Sequence, residues 1–129
     1  MAHRGDADEF YARVGGHSTF VQLVDAFFVG VEADPALRAI YPDDLEGSKD
    51  RLRWFLEQFW GGPAIYSRMR GAPALKMRHM PYKCTPLMTD RWLLAMHRAI
   101  STLDLPLADE GALRDYLDRA ARYLINAGD

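Results

Sequence analysis

One cysteine, Cys84, stands in a chain of 129 residues. That excludes a disulfide framework within the chain and any zinc site built from several cysteines. No run approaches the roughly 18 consecutive apolar residues that a membrane helix needs, so no transmembrane segment is expected. The start, MAHRGDADEF, carries charges and no apolar stretch. It predicts no signal peptide, and together with the lone cysteine it predicts a cytoplasmic protein. Strongly alternating apolar and polar runs are missing as well, so no strand is expected. Internal repeats and low-complexity tracts are also absent.

Acid is missing from one long window. Between Gln58 and Thr89 there is no Asp or Glu, while Arg68, Arg70, Lys76, Arg78 and Lys83 give it a charge of +5. The rest of the chain holds 11 basic and 18 acidic residues, a charge of −7. A positive band on an acidic protein points to a local anionic partner, not to a general nucleic-acid surface. The alternative is a solvated loop whose basic residues have no partner.

What is present is apolar and helical in period. Nearly half the residues are hydrophobic (49%), enough for one core and too many for disorder. Residues 1–9 are expected as a flexible N-terminal segment and 10–129 as a single all-α domain. Phe20, Leu23, Val24, Phe27, Phe28 and Val31 repeat at helical spacing, with Ser18 as the expected N-cap. Asp34-Pro35 breaks that helix. A second long helix is predicted from Gly47-Ser48 through Leu52, Phe55, Leu56, Phe59 and Trp60 to the breaker Gly61-Gly62-Pro63. A loop is expected from there to Gly71, then a short helix opened by Ala72-Pro73 and closed by Pro81. Thr85-Pro86 reads as a cap and first turn for a third long helix with Met88, Trp92, Met96, Ala99 and Leu103 on its apolar face. A fourth is predicted from about Asp109 through Leu113, Tyr116, Leu117, Ala120 and Leu124.

Inside the acid-free band lies His79, one of four histidines. Leu75 and His79 are four apart and share a helix face, so His79 is expected to turn inward. Two readings stay open: an ordinary histidine satisfied by a backbone carbonyl, or a neutral imidazole that binds a metal. No HxH, HxxxH or HExxH pattern supplies a second ligand, which leaves a zinc hydrolase without its donor set. One histidine is enough where the metal arrives already held, as in haem. Haem propionates would also account for the basic band, and the aromatic residues are candidates for its walls.

Longer motifs sharpen this reading. FYARVGGHSTF, FFVGVEADPALRAIYPDDL, RLRWFLEQFWGGPAIYS, RGAPALKMRHMPY and RWLLAMH together resemble the truncated haemoglobins, most closely the group II proteins typified by actinobacterial haemoglobin O. The resemblance runs from about Phe10 to Asn126. Gly15-Gly16 and Gly61-Gly62 stand where that family ends its first helix and its distal helix. The resemblance implies a shortened globin, a two-over-two helical sandwich around haem b (iron protoporphyrin IX). It places His79 as the proximal iron ligand. Trp92, Tyr41, Phe28, Leu52 and Ser48 fall on the distal ligand pocket, Ser48 at the position that gates ligand access. Phe55 falls on the haem wall. Arg51, Tyr66, Arg78 and Tyr82 fall on cofactor-binding positions, Arg51 within reach of a propionate.

Read without the resemblance, several of these residues have simpler roles. Trp92 and Phe55 fit core packing, Tyr41 a loop anchor, and Ser48 a helix cap. Cys84 is an ordinary thiol, with Lys83 beside it able to lower its pKa. His97 is expected on the helix surface or behind the site.

Phe28 departs from the family, which usually has tyrosine there. A phenylalanine cannot donate a hydrogen bond to bound ligand. That loss typically costs about 1–3 kcal/mol, or a roughly ten- to hundred-fold faster release of oxygen if nothing compensates. Trp92 offers an N–H and Tyr41 an O–H. On residue type alone, Trp92 is expected to be the main donor and Tyr41 the second.

The implied function is binding of O2, CO and NO at a His-ligated haem iron, with nitric oxide- or peroxide-consuming redox chemistry left open. Turnover of that kind would need a separate electron-donating reductase, because no flavin or nicotinamide motif is present. A homodimer is compatible with the sequence. The competing reading is a haem-free helical module that docks an anionic partner through the basic band. A helix-turn-helix DNA reader fits poorly, since the overall charge is acidic and the basic residues surround a short helix.

Overall fold

Gly15 and Gly16 adopt φ of 115° and 63°, a left-handed turn open to glycine at little cost. The turn ends a short helical stretch over residues 10–13 and starts α1, Gly16–Ala33. The structure, a computed structural model, describes residues 10–129; the expected flexible segment 1–9 lies outside them. Ser18 is not the N-cap it was expected to be. The helix begins two residues earlier, and the Ser18 hydroxyl donates to the Gly15 carbonyl at 3.3 Å.

The predicted stripe on α1 is the centre of the molecule. Phe20, Leu23, Val24, Phe27, Phe28 and Val31 are all buried. At roughly 1.5–3 kcal/mol for each large side chain removed from water, this face is the largest single source of stability in the fold. Asp34 ends α1 and caps α2, Pro35–Arg38, by accepting from the N–H groups of Ala36 and Leu37. Its carboxylate also takes Arg91 at 2.8 Å. Desolvation pushes the Asp34 carboxyl up, but these donors outweigh it and hold it below the usual carboxylate range.

Helix α3 is Glu46–Phe59, starting close to the predicted Gly47-Ser48. Ser48 lies in its first turn, buried, and is not its cap. The expected loop from Gly61 to Gly71 contains α4, Ile65–Arg70. Its basis is tertiary. Gln58, on α3, accepts from the Ser67 N–H at 2.9 Å and donates to the Ser67 hydroxyl at 2.7 Å. The next helix, α5, is Leu75–His79, two residues past the proline expected to open it. Helix α6, Pro86–Ser101, has the expected Thr85 cap, which accepts from the Met88 N–H at 3.1 Å. Its core face is Thr89, Leu93, Met96 and Ile100; Met88 and Trp92 sit one strip to the side and are only partly buried. Helix α7, Leu107–Tyr123, buries Leu113 and Leu117. Among the described residues no strand occurs.

The long helices form two layers. Helix α1 packs on α3 and on α6, and α6 packs on α7. Gly30 lets α1 and α6 approach closely: a methyl there would stand 3.1 Å from the Ala95 Cβ. Polar ties close the N-terminal side. Arg13 donates to the buried Asp109 on α7 at 2.8 Å. Glu57, 2% exposed, accepts from Tyr11 at 2.8 Å and Arg53 at 2.9 Å, and meets His17 Nδ1 at 2.9 Å. Among the described residues, no helix is long and apolar enough to cross a membrane.

Gly62 locks this corner. Its N–H donates to the Glu57 carbonyl at 2.7 Å. A methyl at Gly62 would stand 2.6 Å from Tyr11 Cε1 and 2.9 Å from that carbonyl oxygen. Gly62→Ala is therefore expected to destabilise the fold by about 1–3 kcal/mol, because backbone must move. Urea denaturation checks this; a midpoint equal to that of the native chain would mean that the corner yields freely.

Candidate functional site

The five-residue helix α5 is too short to hold itself. Three contacts outside it hold it. Arg78 folds back, donating to the carbonyls of Pro73 at 2.8 Å, Arg70 at 2.7 Å and Ala72 at 3.0 Å. Asn126, near the C-terminus, donates to the His79 carbonyl at 3.2 Å and the Tyr82 carbonyl at 2.9 Å. Its own side-chain oxygen accepts from the Cys84 N–H at 2.9 Å. The Lys76 amine donates to the Tyr123 carbonyl at 2.7 Å and lies 4.4 Å from that ring.

At the end of α5, His79 Nδ1 lies 2.7 Å from the Leu75 carbonyl oxygen. A carbonyl accepts and cannot donate, so Nδ1 carries the hydrogen. In the neutral ring the Nε2 lone pair is then available to a metal. The four-residue spacing placed Leu75 and His79 on one helix face; that the Leu75 carbonyl is the partner is set by the structure. Asn126, which fixes the same segment, carried no local signal: it stands 47 residues from His79.

A second group forms where α1, the turn after α2 and α6 meet. Phe28 meets the Tyr41 ring edge-on at 5.2 Å, and Phe27 meets Trp92 at 5.0 Å. Trp92 Nε1–H donates to the Tyr41 hydroxyl oxygen at 3.2 Å. The single N–H of the indole is thus engaged, and the Tyr41 hydroxyl hydrogen has no acceptor among the described residues. Burial pushes the Tyr41 phenol up to about 12, against a lowering by the Trp92 hydrogen bond. Phe28 is 1% exposed and contributes no polar atom.

Phe55 and Tyr66 form a third group, edge to face at 5.9 Å, with the Arg78 guanidinium 5.6 Å from the Tyr66 ring. Ser48 is joined to Arg51, whose guanidinium donates to its hydroxyl at 3.3 Å. Leu52, Phe55, Tyr41, Met88 and Trp92 pack on the core yet stay partly exposed. Tyr82 is 67% exposed and touches the site only through its backbone. Among the described residues, none of the five cations of the acid-free band pairs with a carboxylate. Burial pushes the Cys84 thiol up. His97 is bound away from the site, between Asp118 at 2.7 Å and Arg114 at 2.6 Å.

These residues fit a haem. His79 offers one ring nitrogen, the partly exposed apolar strip on α3 and α6 suits the faces of a flat macrocycle, and cations that no described carboxylate neutralises suit its propionates. Among the described residues, no three His, Cys, Asp or Glu side chains gather as a free-ion site.

Known proteins agree. The family model described as bacterial-like globin matches residues 9–126. The chain is 35% identical over 115 residues to the group 2 truncated hemoglobin YjbI of Bacillus subtilis, covering 86% of this chain and 84% of that protein. Among solved structures it resembles a thermostable hemoglobin from Thermobifida fusca, at 47% identity and a TM-score of 0.90, covering 92% of this chain and 97% of that one. It also resembles the group II truncated hemoglobin of Bacillus anthracis, at 30% identity and a TM-score of 0.89, covering 93% and 92%. A haem-fitted site on a two-over-two helical frame, with a family match over nearly the whole length, leads to one assignment: the chain belongs to the bacterial-like globins, among the group II truncated haemoglobins, which bind ligands at haem.

Proposed function

We propose that His79 Nε2 would hold haem b in this globin, and that O2, CO and NO would bind in the pocket that Tyr41 and Trp92 line. The observation that carries the reading is the 2.7 Å hydrogen bond from His79 Nδ1 to the Leu75 carbonyl. It fixes the tautomer, aims the ring, and makes Nε2 the better electron donor. Haem supplies the ligand-binding and redox chemistry when bound; the chain supplies the axial nitrogen, the pocket donor and the access route. Arg51, next to the small buried Ser48, is the cation best suited to a propionate, since Arg78 is occupied with the loop before α5.

In this reading Tyr41 is the donor to bound ligand. Trp92 donates to the Tyr41 oxygen, which orients the phenol and strengthens its own O–H as a donor. Tyr41 would offer that hydrogen to a ligand carrying partial negative charge. Consumption of nitric oxide or peroxide, fed by a separate reductase in the cytoplasm, is the redox function this pocket fits. The band of unpaired cations is a suitable place for an acidic reductase to meet either a monomer or a homodimer.

The first test is an absorption spectrum of the haem-reconstituted chain, reduced and then exposed to carbon monoxide, beside His79→Ala. A Soret band that shifts with carbon monoxide and is altered or lost in the variant is expected. A folded, colourless chain that takes up no haem would favour the anion-docking module instead. The second is oxygen dissociation. Tyr41→Phe removes the pocket hydroxyl and is expected to speed release roughly ten- to hundred-fold, for about 1–3 kcal/mol of lost hydrogen bond. Trp92→Phe should act less, since the phenol remains; a larger effect there would make Trp92 the direct donor. A phenol held at about 12 keeps its hydrogen at lower pH. Native release should therefore be flat from about pH 6 to about pH 10, and a rise within that range would count against Tyr41.

A further inference from the structure

Glu57 is the most deeply buried carboxylate described, and ligand binding gives it no task. It is surrounded by the Tyr11 phenol, the Arg53 guanidinium and the His17 ring, all within 2.9 Å. We propose that Tyr11 is a redox-active tyrosine that gives one electron to haem oxidised by peroxide while its phenolic proton crosses to Glu57. The proposal rests on the haem reading above.

A phenol that loses an electron becomes a far stronger acid than any carboxylic acid. It holds the resulting radical only where a base can take the proton in the same event. Tyr11 has that base: its O–H donates to Glu57 Oε1 at 2.8 Å. Even a carboxylate paired with Arg53 is basic enough for such a proton. No other tyrosine described has one. The Tyr41 hydroxyl is an acceptor from Trp92, and the hydroxyls of Tyr66, Tyr82, Tyr116 and Tyr123 reach no acceptor among the described residues. His17, largely exposed, touches the same Glu57 oxygen and connects it to solvent.

Aromatic rings join this corner to the site. Phe55, on the haem-wall position, lies 6.3 Å from Phe59, Phe59 lies 5.3 Å from Trp60, and Trp60 stacks on Phe10 at 4.1 Å. Phe10 precedes Tyr11 in the chain, and the Tyr11 ring lies against Gly62, two residues past Trp60. The Trp60 indole N–H is buried and has no acceptor. An oxidised Trp60 cannot shed its proton there, so it passes the vacancy on and does not keep it. Tyr11, with Glu57, is where the vacancy comes to rest.

The balance closes. Tyr11 loses one electron to the haem and one proton to Glu57, leaving a neutral phenoxyl radical and a neutral carboxylic acid. A soluble one-electron reductant of the enediol or phenol class returns the electron, and Glu57 returns the proton. Over a full turnover hydrogen peroxide takes up two electrons and two protons and leaves as two waters.

The test mixes the haem-loaded chain with equimolar hydrogen peroxide and freezes it for electron paramagnetic resonance. The samples are the native chain, the chain with ring-deuterated tyrosine, Tyr11→Phe and Glu57→Gln. The expected result is a tyrosyl signal that narrows with deuteration, is lost in Tyr11→Phe and is weakened in Glu57→Gln, with faster haem bleaching in Tyr11→Phe. In a second arm, azide radicals oxidise the indoles of the haem-free chain in pulse radiolysis. There the indolyl absorption should pass into phenoxyl absorption in the native chain, with a loss of phenoxyl yield in Tyr11→Phe. Tyr11→Phe keeps the ring and its 5.6 Å stack on Phe20, so the fold is preserved. A tyrosyl signal and phenoxyl yield unchanged in Tyr11→Phe would overturn the proposal and leave the pair a structural tie. A chain that takes up no haem overturns the haem reading and this proposal together, and the missing Soret band distinguishes that failure from one at Tyr11.

Discussion

The close crossing of α1 on α6 is the constraint on which the rest of the molecule depends. Gly30 and Ala95 carry so little side chain that the two backbones can approach until a single added methyl would crowd the contact. That approach brings Phe27 onto Trp92 and sets Phe28 edge-on to Tyr41. The same crossing that completes the core therefore aligns the pocket. A bulkier residue at either position would push apart the helices that bring Phe27 onto Trp92.

Around this crossing, short elements depend on side chains from elsewhere. Helices of four to six residues do not persist alone, because nucleation costs more than one turn returns. Gln58 holds α4, Asp34 caps α2, and Arg78 with Asn126 holds α5. The histidine proposed as iron ligand thus sits on an element whose position is imposed from outside. The polar groups that impose it are nearly all engaged with backbone carbonyls. Arg78 illustrates the consequence: a cation that looked available to an anion is used on its own loop.

The pocket chemistry follows the same logic. Phe28 is buried and contributes no polar atom to the pocket wall. What remains polar is the pair Trp92 and Tyr41, and the two are coupled, one donating to the other. Buried polar groups in a pocket this apolar have few partners to choose from, so each is committed. The buried Glu57 cluster on the opposite side of α3 shows the same economy, with one carboxylate serving three partners.

The sequence by itself determined the four long helices, the core stripe on α1, the Thr85 cap, the breaks at Asp34-Pro35 and Gly61-Gly62, and the placing of Leu75 and His79 on one helix face. All of these rest on spacing of a few residues, where helical period and capping chemistry dominate. The longer motifs also carried the family, because globin positions are spread along the whole chain. Other features were decided only by the tertiary structure. Helix α4 exists because Gln58 reaches Ser67. The start of α1 moved to the glycine turn, and Ser48 was drawn into the buried first turn of α3. Arg78 was engaged with the carbonyls of the loop before α5, and Asn126 was brought to His79 from 47 residues away. The engagement of the Trp92 N–H was likewise decided there, since it depends on Tyr41 lying 3.2 Å from it. Side chains far apart in the chain choose their partners by proximity, and proximity is set only when the helices have packed.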